Sequence, residues 1–365
     1  MAHIRKLGER RYQARWVDPD GRECSKIFSR RTDAEDKIKE VEHSKLDGSY
    51  IDHKNPITVA QYAKQWSTTR PHRSTTATRV KSMIDNHIAG TRLGGRRLSA
   101  VRTSEVQAWV TERSQTLSPG TVRLVVQTLR SIFNAAVQDR LLARNPVTRL
   151  SMPRSEKQRI TPLSVIQVQD LASAMPERCR AMVITQAGLG LRVAELLALR
   201  VQDVDFLRRT VRVEFQTTPD GKYRVPPKTP RSRRTLPLTE VVGKALAAHI
   251  AEFPPTEDGS LFTTANGNLY RQEHYGARIF APSVKKAELP AGTTSHALRH
   301  HYASVLLAAG ESVVAVAERL GHENAALVLK TYGHLMPDSE DRTRRAIDTA
   351  WSTSDGPQTA QTPSR

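Results

Sequence analysis

Ser295-His296-Ala297-Leu298-Arg299-His300-His301-Tyr302 is followed in this chain by Leu320-Gly321-His322 and then by Lys330-Thr331-Tyr332-Gly333-His334. His296 and Arg299 are three residues apart, so a helix over this stretch would place both on one face, within reach of one anion. His322 follows a Leu-Gly break, and Tyr332 comes ten residues later. Because Tyr332 stands next to a glycine, the pattern predicts a side chain presented from a mobile segment.

A second arginine lies upstream, in Gly190-Leu191-Arg192-Val193-Ala194-Glu195-Leu196-Leu197-Ala198-Leu199. The pattern predicts that Arg192 lies just inside a helix start, where helix amide groups also face an anion. Exposed arginines are common on protein surfaces, but less so within an apolar run such as this one. Glu195, one turn further, either pairs with Arg192 and orients it or caps the helix turn.

These segments, in this order and at these spacings, resemble the motifs of the tyrosine recombinase family of phage-integrase type, and the resemblance covers most of the chain. It implies that Tyr332 attacks a DNA phosphate, giving a 3′-phosphotyrosyl link and a free 5′-hydroxyl. Arg192 and Arg299 would hold the non-bridging phosphate oxygens, because fixed bidentate guanidinium groups stabilise the charge of the transition state. No metal, ATP or other cofactor is then required.

Proton transfer is assigned to two histidines and one lysine. The resemblance implies that His296 acts beside the tyrosine as base or acid and that His322 donates to a phosphate oxygen. The family places a lysine on a β-hairpin as general acid for the 5′-oxygen, and here that residue is Lys228. Lys222, on the adjacent turn, is the competing residue. The neighbouring histidines fall outside the positions assigned to chemistry, and His300 is expected to support the fold.

Composition indicates a nucleic-acid partner. The 365 residues carry 56 Lys+Arg against 37 Asp+Glu, a formal charge of +19, which favours a polyanion because each phosphate contact releases counterions. No apolar run of membrane-spanning length and no signal peptide is visible, so we expect a DNA-associated protein of the bacterial cytoplasm. Cys24 and Cys179 stand far apart in sequence, which indicates neither a disulfide framework nor a cysteine-based zinc site.

The pattern along the chain predicts a multidomain, mainly α fold with small β-sheets. Residues 1–50 predict an α+β module, with strands at 11–17 and 23–28 and a helix from 32 to about 46. After a linker at 47–56, helical periodicity over 57–148 predicts a domain of about four helices, at 59–66, 75–87, 103–113 and 118–140. Ser118-Pro119 opens the last of them as N-cap and first-turn proline. Residues 160–351 predict a mixed, mainly α catalytic domain with a small sheet, including a strand at 210–215 and a helix over 271–286. Residues 352–365 predict a disordered tail.

The resemblance also implies partners and leaves rival functions. The N-terminal module would bind arm-type DNA sites and the helical domain core-type sites, with a homotetramer assembling on double-stranded DNA. A host DNA-bending protein and an excision directionality factor would assist the integration or excision of a prophage or other mobile element. The alternatives are a topoisomerase-like enzyme that relaxes a single duplex and a DNA-binding protein without catalysis. The extra N-terminal module disfavours the first, and the intact motifs disfavour the second.

Overall fold

The computed structural model describes residues 2–18, 21–46, 56–71, 74–154, 160–335 and 340–352. The chain divides into two compact units, Met1–Lys157 and Gln158–Arg365. It is mainly helical with small antiparallel sheets, which confirms the predicted fold class. Most of the predicted linker before Pro56 and nearly all of the predicted C-terminal tail lie outside the described residues. Within the described ranges, no helix is long and apolar enough to cross a membrane.

The first unit begins with an antiparallel sheet in the order β1-β2-β3, made of β1 (His3–Gly8), β2 (Arg11–Val17) and β3 (Glu23–Phe28). Alternation along β2 buries Ala14 and Trp16 against helix α1 (Arg31–Leu46). The sequence alone does not predict β1, because that strand is almost wholly exposed and carries no apolar alternation. Its backbone pairing with β2 is what makes it a strand.

The rest of the first unit is helical, with α2 (Val59–Thr69), α3 (Ser74–Ile84), α4 (Thr103–Ser114) and α5 (Pro119–Gln138). The Ser118 hydroxyl caps α5 by accepting a hydrogen bond from the Thr121 amide at 3.3 Å, and Pro119 occupies the first turn. One apolar face of α5, which includes Leu129, Ile132 and Phe133, forms the centre of this core.

The second unit is built on ten helices among its described residues, several of them short. They are α6 (Val165–Ala174), α7 (Glu177–Leu189), α8 (Val193–Leu196), α9 (Glu240–Glu252), α10 (Gln272–His274), α11 (Ala281–Lys286), α12 (His296–Ala308), α13 (Val313–Leu320), α14 (Ala325–Tyr332) and α15 (Glu340–Ser352). The buried α7 packs against α6, α9 and α12. At Gly188 a Cβ atom would lie 2.3 Å from Val242 Cγ2, so only glycine permits this close approach of α7 and α9.

Two small sheets complete the second unit. The first has the order β4-β5-β8, from β4 (Val204–Asp205), β5 (Thr210–Val213) and β8 (Arg234–Pro237), and the second pairs β6 (Gln216–Thr217) with β7 (Arg224–Val225). The strand at β5 ends at Val213, two residues earlier than the alternation predicts. The predicted continuous helix over 271–286 instead contains a π-helical turn, Tyr275–Phe280, which widens its middle.

Candidate active site

Helix α12 places Arg299 at the centre of the second unit. Its side chain is 1% exposed, and its guanidinium group donates from Nη1 to the Gly190 carbonyl at 2.7 Å and from Nη2 to the Leu320 carbonyl. Arg299 therefore joins the ends of α7 and α13. Burial and the charge of Arg192 lower the pKa of Arg299 to about 9, so the group stays cationic at neutral pH.

Arg192 lies between α7 and α8. Helix α7 ends at Gly190, whose φ of +63° reverses the chain, and Arg192 is the N-cap residue of α8 rather than a residue inside a helix. Its Nη1 donates to Glu195 Oε1 at 2.7 Å, and its Nη2 donates to the Gly321 carbonyl at 3.2 Å. Glu195 also accepts from the Arg192 backbone amide at 3.0 Å, so it both pairs with the arginine and caps the turn.

Arg234, at the start of β8, is a member of this cluster that the sequence interpretation missed. Its Nη2 donates to Glu195 Oε2 at 2.9 Å, its Nε to the Arg319 carbonyl at 2.6 Å, and its Nη1 to the Ser232 carbonyl at 3.0 Å. The side chain is only 6% exposed. Strand alternation could have predicted its burial, because Arg234 is two residues before the buried Leu236 and so lies on the same face of β8.

Glu195 is the buried anion of the cluster, with a side chain 2% exposed. Burial by itself raises the pKa of a carboxyl group, but the charges and hydrogen bonds of Arg234 and Arg192 outweigh burial and hold the pKa of Glu195 below its ordinary value. Three guanidinium groups against one carboxylate give the cluster a net charge of +2. The cluster therefore suits an anionic ligand.

His322 reaches the cluster from the end of α13. Gly321, with a φ of +66°, ends that helix, and the His322 amide then donates to the Ala317 carbonyl at 2.9 Å. Its Nδ1 is buried and has no hydrogen-bond partner among the described residues. Burial, together with the charges of Arg299 and Arg192, lowers the pKa of His322 to about 4, which keeps the ring neutral at pH 7.

Tyr332 ends α14 and is 2% exposed, so in this structure it is packed rather than presented from a mobile segment. The reason is tertiary: its ring joins a cluster that includes Leu307, Val316 and Val328. A hydrogen bond of 2.6 Å joins its hydroxyl group to Nδ1 of His300. Burial raises the pKa of Tyr332, and the opposing charge of Arg299 does not reverse the shift, so the phenol is protonated at neutral pH.

The histidines of α12 separate into three environments. His296 lies at the solvent-exposed start of α12, and its ring meets the ring of His300 edge-on, with 4.6 Å between centroids and an angle of 84°. Partial burial and the charges of Arg299 and Arg192 lower the pKa of His296. His301 is buried on the other side of the helix, with Nδ1 2.7 Å from the Leu163 carbonyl. His300 is thus the histidine that contacts Tyr332, which sequence reasoning did not single out.

Lys228 is not drawn into this network. It is exposed on the segment between β7 and the short turn Pro230–Ser232, and no hydrogen bond joins it to the cluster in the part of the chain that the structure describes. The competing Lys222 is also exposed, on the turn between β6 and β7, where its amide donates to the Asp220 carboxylate at 3.2 Å. The fold therefore brings together Arg192, His296, Arg299, His322 and Tyr332 of the expected residues.

Comparison with known proteins gives consistent matches. The phage integrase family model matches residues 157–338. A tyrosine recombinase XerC-like protein of Caldanaerobacter subterraneus subsp. tengcongensis is 26% identical over 356 residues, 88% of this chain and 90% of that protein. The putative prophage phiRv2 integrase of Mycobacterium tuberculosis is 26% identical over 350 residues, 92% of this chain and 91% of that protein.

Solved structures match as well. The Tn1549 transposon integrase in complex with a circular intermediate DNA gives a TM-score of 0.70 at 26% identity, covering 80% of this chain and 99% of that chain. A lambda integrase tetramer bound to a Holliday junction gives a TM-score of 0.60 at 18% identity, covering 90% of this chain and 94% of that chain. The second likeness concerns the fold alone.

Proposed function

We propose that this chain, as a member of the phage integrase family that binds DNA and catalyses site-specific DNA recombination, integrates or excises a mobile element such as a prophage through a 3′-phosphotyrosyl intermediate. The observation that carries the proposal is the cluster around Arg299. Three chain segments that are remote in sequence meet there through direct hydrogen bonds, at residues 190–192, at Arg299 and at residues 320–321.

The scissile phosphate occupies the cationic cluster in this proposal. Arg192 is the accessible arginine, with a side chain 37% exposed, and it grips a non-bridging oxygen while Arg299 supplies a fixed buried charge. Glu195 and Arg234 hold Arg192 in place through shared hydrogen bonds. The neutral rings of His296 and His322 form hydrogen bonds with the phosphate and serve in proton transfer.

Tyr332 then cleaves the DNA strand by attacking this phosphate. Its oxygen forms a bond to phosphorus and loses its proton, while the bond from phosphorus to the 5′-oxygen breaks. Lys228 protonates the departing 5′-oxygen, so the products are a phosphotyrosyl link and a free 5′-hydroxyl. Because Lys228 is exposed and lies outside the cluster, its segment must approach the phosphate when DNA is bound. Attack by a 5′-hydroxyl from another strand reverses these steps and reseals the DNA.

The first unit contributes DNA recognition in this proposal. The sheet β1-β2-β3 binds arm-type sites, and the helical domain at 57–148 binds core-type sites. Exposed arginines on the sheet module support the first assignment: Arg5, Arg10, Arg11, Arg22 and Arg30. The catalytic domain spans 160–351. We place the reaction in the bacterial cytoplasm, with a host DNA-bending protein and a directionality factor as accessory partners.

Assembly into a homotetramer completes the proposal, as for the lambda integrase tetramer on a Holliday junction. Helix α15 exposes Ile347 and Trp351, so it offers an apolar surface for docking on a neighbouring protomer. Deleting the chain from Ser339 onward should leave DNA binding unchanged in a mobility-shift assay and abolish synapsis of two duplexes. Normal synapsis by the truncated protein would contradict this role.

The nucleophile is tested with a plasmid that carries the DNA flanking this gene, incubated with the protein in EDTA and quenched with detergent. Wild type should give a covalent protein-DNA adduct, and Tyr332→Phe should give none. An adduct that persists in the Phe variant would move the nucleophile elsewhere. A second plasmid with host DNA then distinguishes recombination from relaxation of a single duplex.

A further inference from the structure

We propose that Arg224 is a positioning residue for Lys228, because it fixes the stem of the hairpin that leads to this lysine. The proposal rests on the proposed function, in which Lys228 protonates the leaving 5′-oxygen. Its basis is a set of three contacts. The Arg224 guanidinium group donates from Nε to the Ala198 carbonyl at 3.0 Å, from Nη1 to Asp258 Oδ2 at 2.6 Å, and from Nη2 to the Ser260 hydroxyl group. Arg224, Asp258 and Ser260 form the stem clamp.

The hairpin stem is joined to the element that carries a phosphate-binding arginine. Arg224 lies on β7, which pairs with β6, and Ala198 follows α8, the helix that has Arg192 as its N-cap. The buried Thr217 of β6 also donates to a carbonyl of α8 at 3.5 Å. The stem and Arg192 therefore share one support. A shift of the stem changes the position of Lys228 relative to the phosphate that Arg192 holds.

Asp258 is the anion of the stem clamp. Its Oδ1 accepts from the Ser260 hydroxyl at 2.5 Å, from the Thr256 hydroxyl at 2.7 Å and from the Ser260 amide at 3.1 Å. These hydrogen bonds, together with the one from Arg224, hold the pKa of Asp258 below its ordinary value, so the carboxylate is charged at neutral pH. The Arg224 side chain is only 14% exposed, and its contacts fix it in one geometry. The pair is therefore stronger than an ordinary surface salt bridge.

Prolines transmit the position of the stem to Lys228. The segment after β7 reads Pro226-Pro227-Lys228-Thr229-Pro230. A proline ring fixes φ at about −65°, and a residue before proline is confined to extended conformations. From Val225 to Pro230, Lys228 is the only residue that neither is a proline nor precedes one. Thr229 accordingly has a φ of −126° and a ψ of 150°. Residues 226–229 are thus a short, stiff arm that moves with the end of β7.

The far end of the arm is fixed as well. Thr229 Oγ1 and Ser232 Oγ are 3.0 Å apart, and the Ser232 amide donates to the Thr229 carbonyl at 3.1 Å. Arg231 Nη1 donates to the Glu323 carbonyl, just beyond α13. Lys228 therefore lies between two anchors, one at the stem clamp and one beside the arginine cluster. Loss of the stem clamp releases the first anchor and misplaces the ammonium group.

The arm positions one proton donor for one step. As the bond from phosphorus to the 5′-oxygen breaks, that oxygen keeps the electron pair and takes a proton from Nζ of Lys228, which becomes a neutral amine. A misplacement of about 1 Å in such a group costs as much as about 100-fold in rate. Attack by Tyr332 does not use this proton. Loss of the stem clamp should therefore slow only the departure of the 5′-oxygen.

A substrate with sulfur in place of the bridging 5′-oxygen tests this role, because a thiolate leaves without protonation. Arg224→Met keeps the aliphatic part of the side chain but removes its three donors. With a duplex that gives an adduct with wild type, this variant should cleave the oxygen substrate about 30-fold more slowly than wild type. It should cleave the sulfur substrate within about threefold of the wild-type rate. Lys228→Ala should show the same pattern with a larger loss.

Arg212→Met is the matched control, since Arg212 is exposed on β5 and donates to the Gln202 carbonyl at 2.9 Å. It should cleave both substrates at the wild-type rate. Equal losses of Arg224→Met on the two substrates would show a general structural role and overturn the proposal, as would a rate on the oxygen substrate within about threefold of wild type. Rescue of Lys228→Ala without rescue of Arg224→Met would refute this inference alone. If sulfur rescues neither variant, the general-acid role of Lys228 is wrong and the positioning role falls with it.

Asp258→Asn tests the stem clamp from its exposed side, since the Asp258 side chain is 57% exposed and the change is mild for folding. The substitution removes the charge but keeps an oxygen that accepts from the Ser260 and Thr256 hydroxyls. We expect a loss of about fivefold on the oxygen substrate, again restored by sulfur. Equal rates for Asp258→Asn and wild type would contradict the role of the ion pair.

A measurement without DNA follows the arm directly. In the full-length protein, spin labels at Lys228→Cys and at Ala247→Cys on the exposed face of α9 give a distance distribution by pulsed electron resonance, while the two buried native cysteines stay unlabelled. Arg224→Met should broaden this distribution, and Arg212→Met should leave it unchanged. Equal widths in wild type and Arg224→Met would show that the stem clamp does not hold the arm and would contradict the proposal.

Discussion

Replacing Arg234 with methionine tests whether the buried arginine-carboxylate network holds the second unit together. The substitution keeps much of the apolar stem but removes all three donors to Glu195 and to the Arg319 and Ser232 carbonyls. The Glu195 carboxylate is 2% exposed and would keep only Arg192 as its charged partner. Removing one partner of a buried ion pair costs about 3–5 kcal/mol. Since Arg192 remains, we expect a loss near 3 kcal/mol.

Cys179 provides the assay, because it is 2% exposed in the core of the second unit. In full-length protein carrying Cys24→Ser, Cys179 is the remaining thiol. Its reaction with a thiol reagent in moderate denaturant then reports opening of this unit. A loss of about 3 kcal/mol corresponds to labelling roughly 150-fold faster at the same denaturant concentration.

Arg233→Met is the matched control, since Arg233 is adjacent and exposed. A surface substitution of this kind changes the free energy of unfolding by about 0.5 kcal/mol or less, so labelling should change by roughly twofold. The double variant Arg234→Met with Glu195→Gln should lose less stability than the two single variants lose together, because it has no buried carboxylate that has lost one of its two charged partners. Labelling of Arg234→Met within fivefold of the Arg233→Met rate would refute the reasoning.

Three further predictions concern glycine conformation and pH. Gly190→Ala should destabilise the second unit by about 3 kcal/mol, because φ at this position is +63° and the new Cβ would lie 2.3 Å from a tyrosine ring. Cys179 labelling measures the loss, and a loss under 1 kcal/mol would contradict this prediction. Gly94→Ala would place Cβ 2.3 Å from a backbone carbonyl oxygen and should lower the urea midpoint of the first unit, followed by fluorescence of the buried Trp109, with Cys179 labelling unchanged. For His322 the pKa is about 4 folded and 6.5 unfolded, so between these values the unfolded state binds the proton first and stability falls as pH falls. Urea unfolding at pH 7 and pH 5 should show a smaller loss of stability in His322→Gln than in wild type, by up to about 1.4 kcal/mol per pH unit, and equal losses would contradict a neutral His322 ring.

The sequence predicted most helices within a few residues because they depend on local signals. The serine before Pro119 marks the start of α5, and the helical spacing of its apolar residues predicts which face of that helix is buried. The π-helical turn at Tyr275–Phe280 and the exposed strand β1 were not predictable in this way. Their geometry arises from backbone pairing and side-chain packing that no window of neighbouring residues contains.

The sequence by itself predicted the chemistry of this protein, because the nature and order of Arg192, His296, Arg299, His322 and Tyr332 resemble the motifs of the tyrosine recombinase family. Only the tertiary structure decided how these groups are connected. It showed that Arg234 shares the carboxylate of Glu195 and that His300 contacts Tyr332. It also showed that Tyr332 is buried rather than presented to solvent. Hydrogen bonds of 2.6 to 2.9 Å between residues more than thirty positions apart depend on helix packing, which spacing along the chain does not encode.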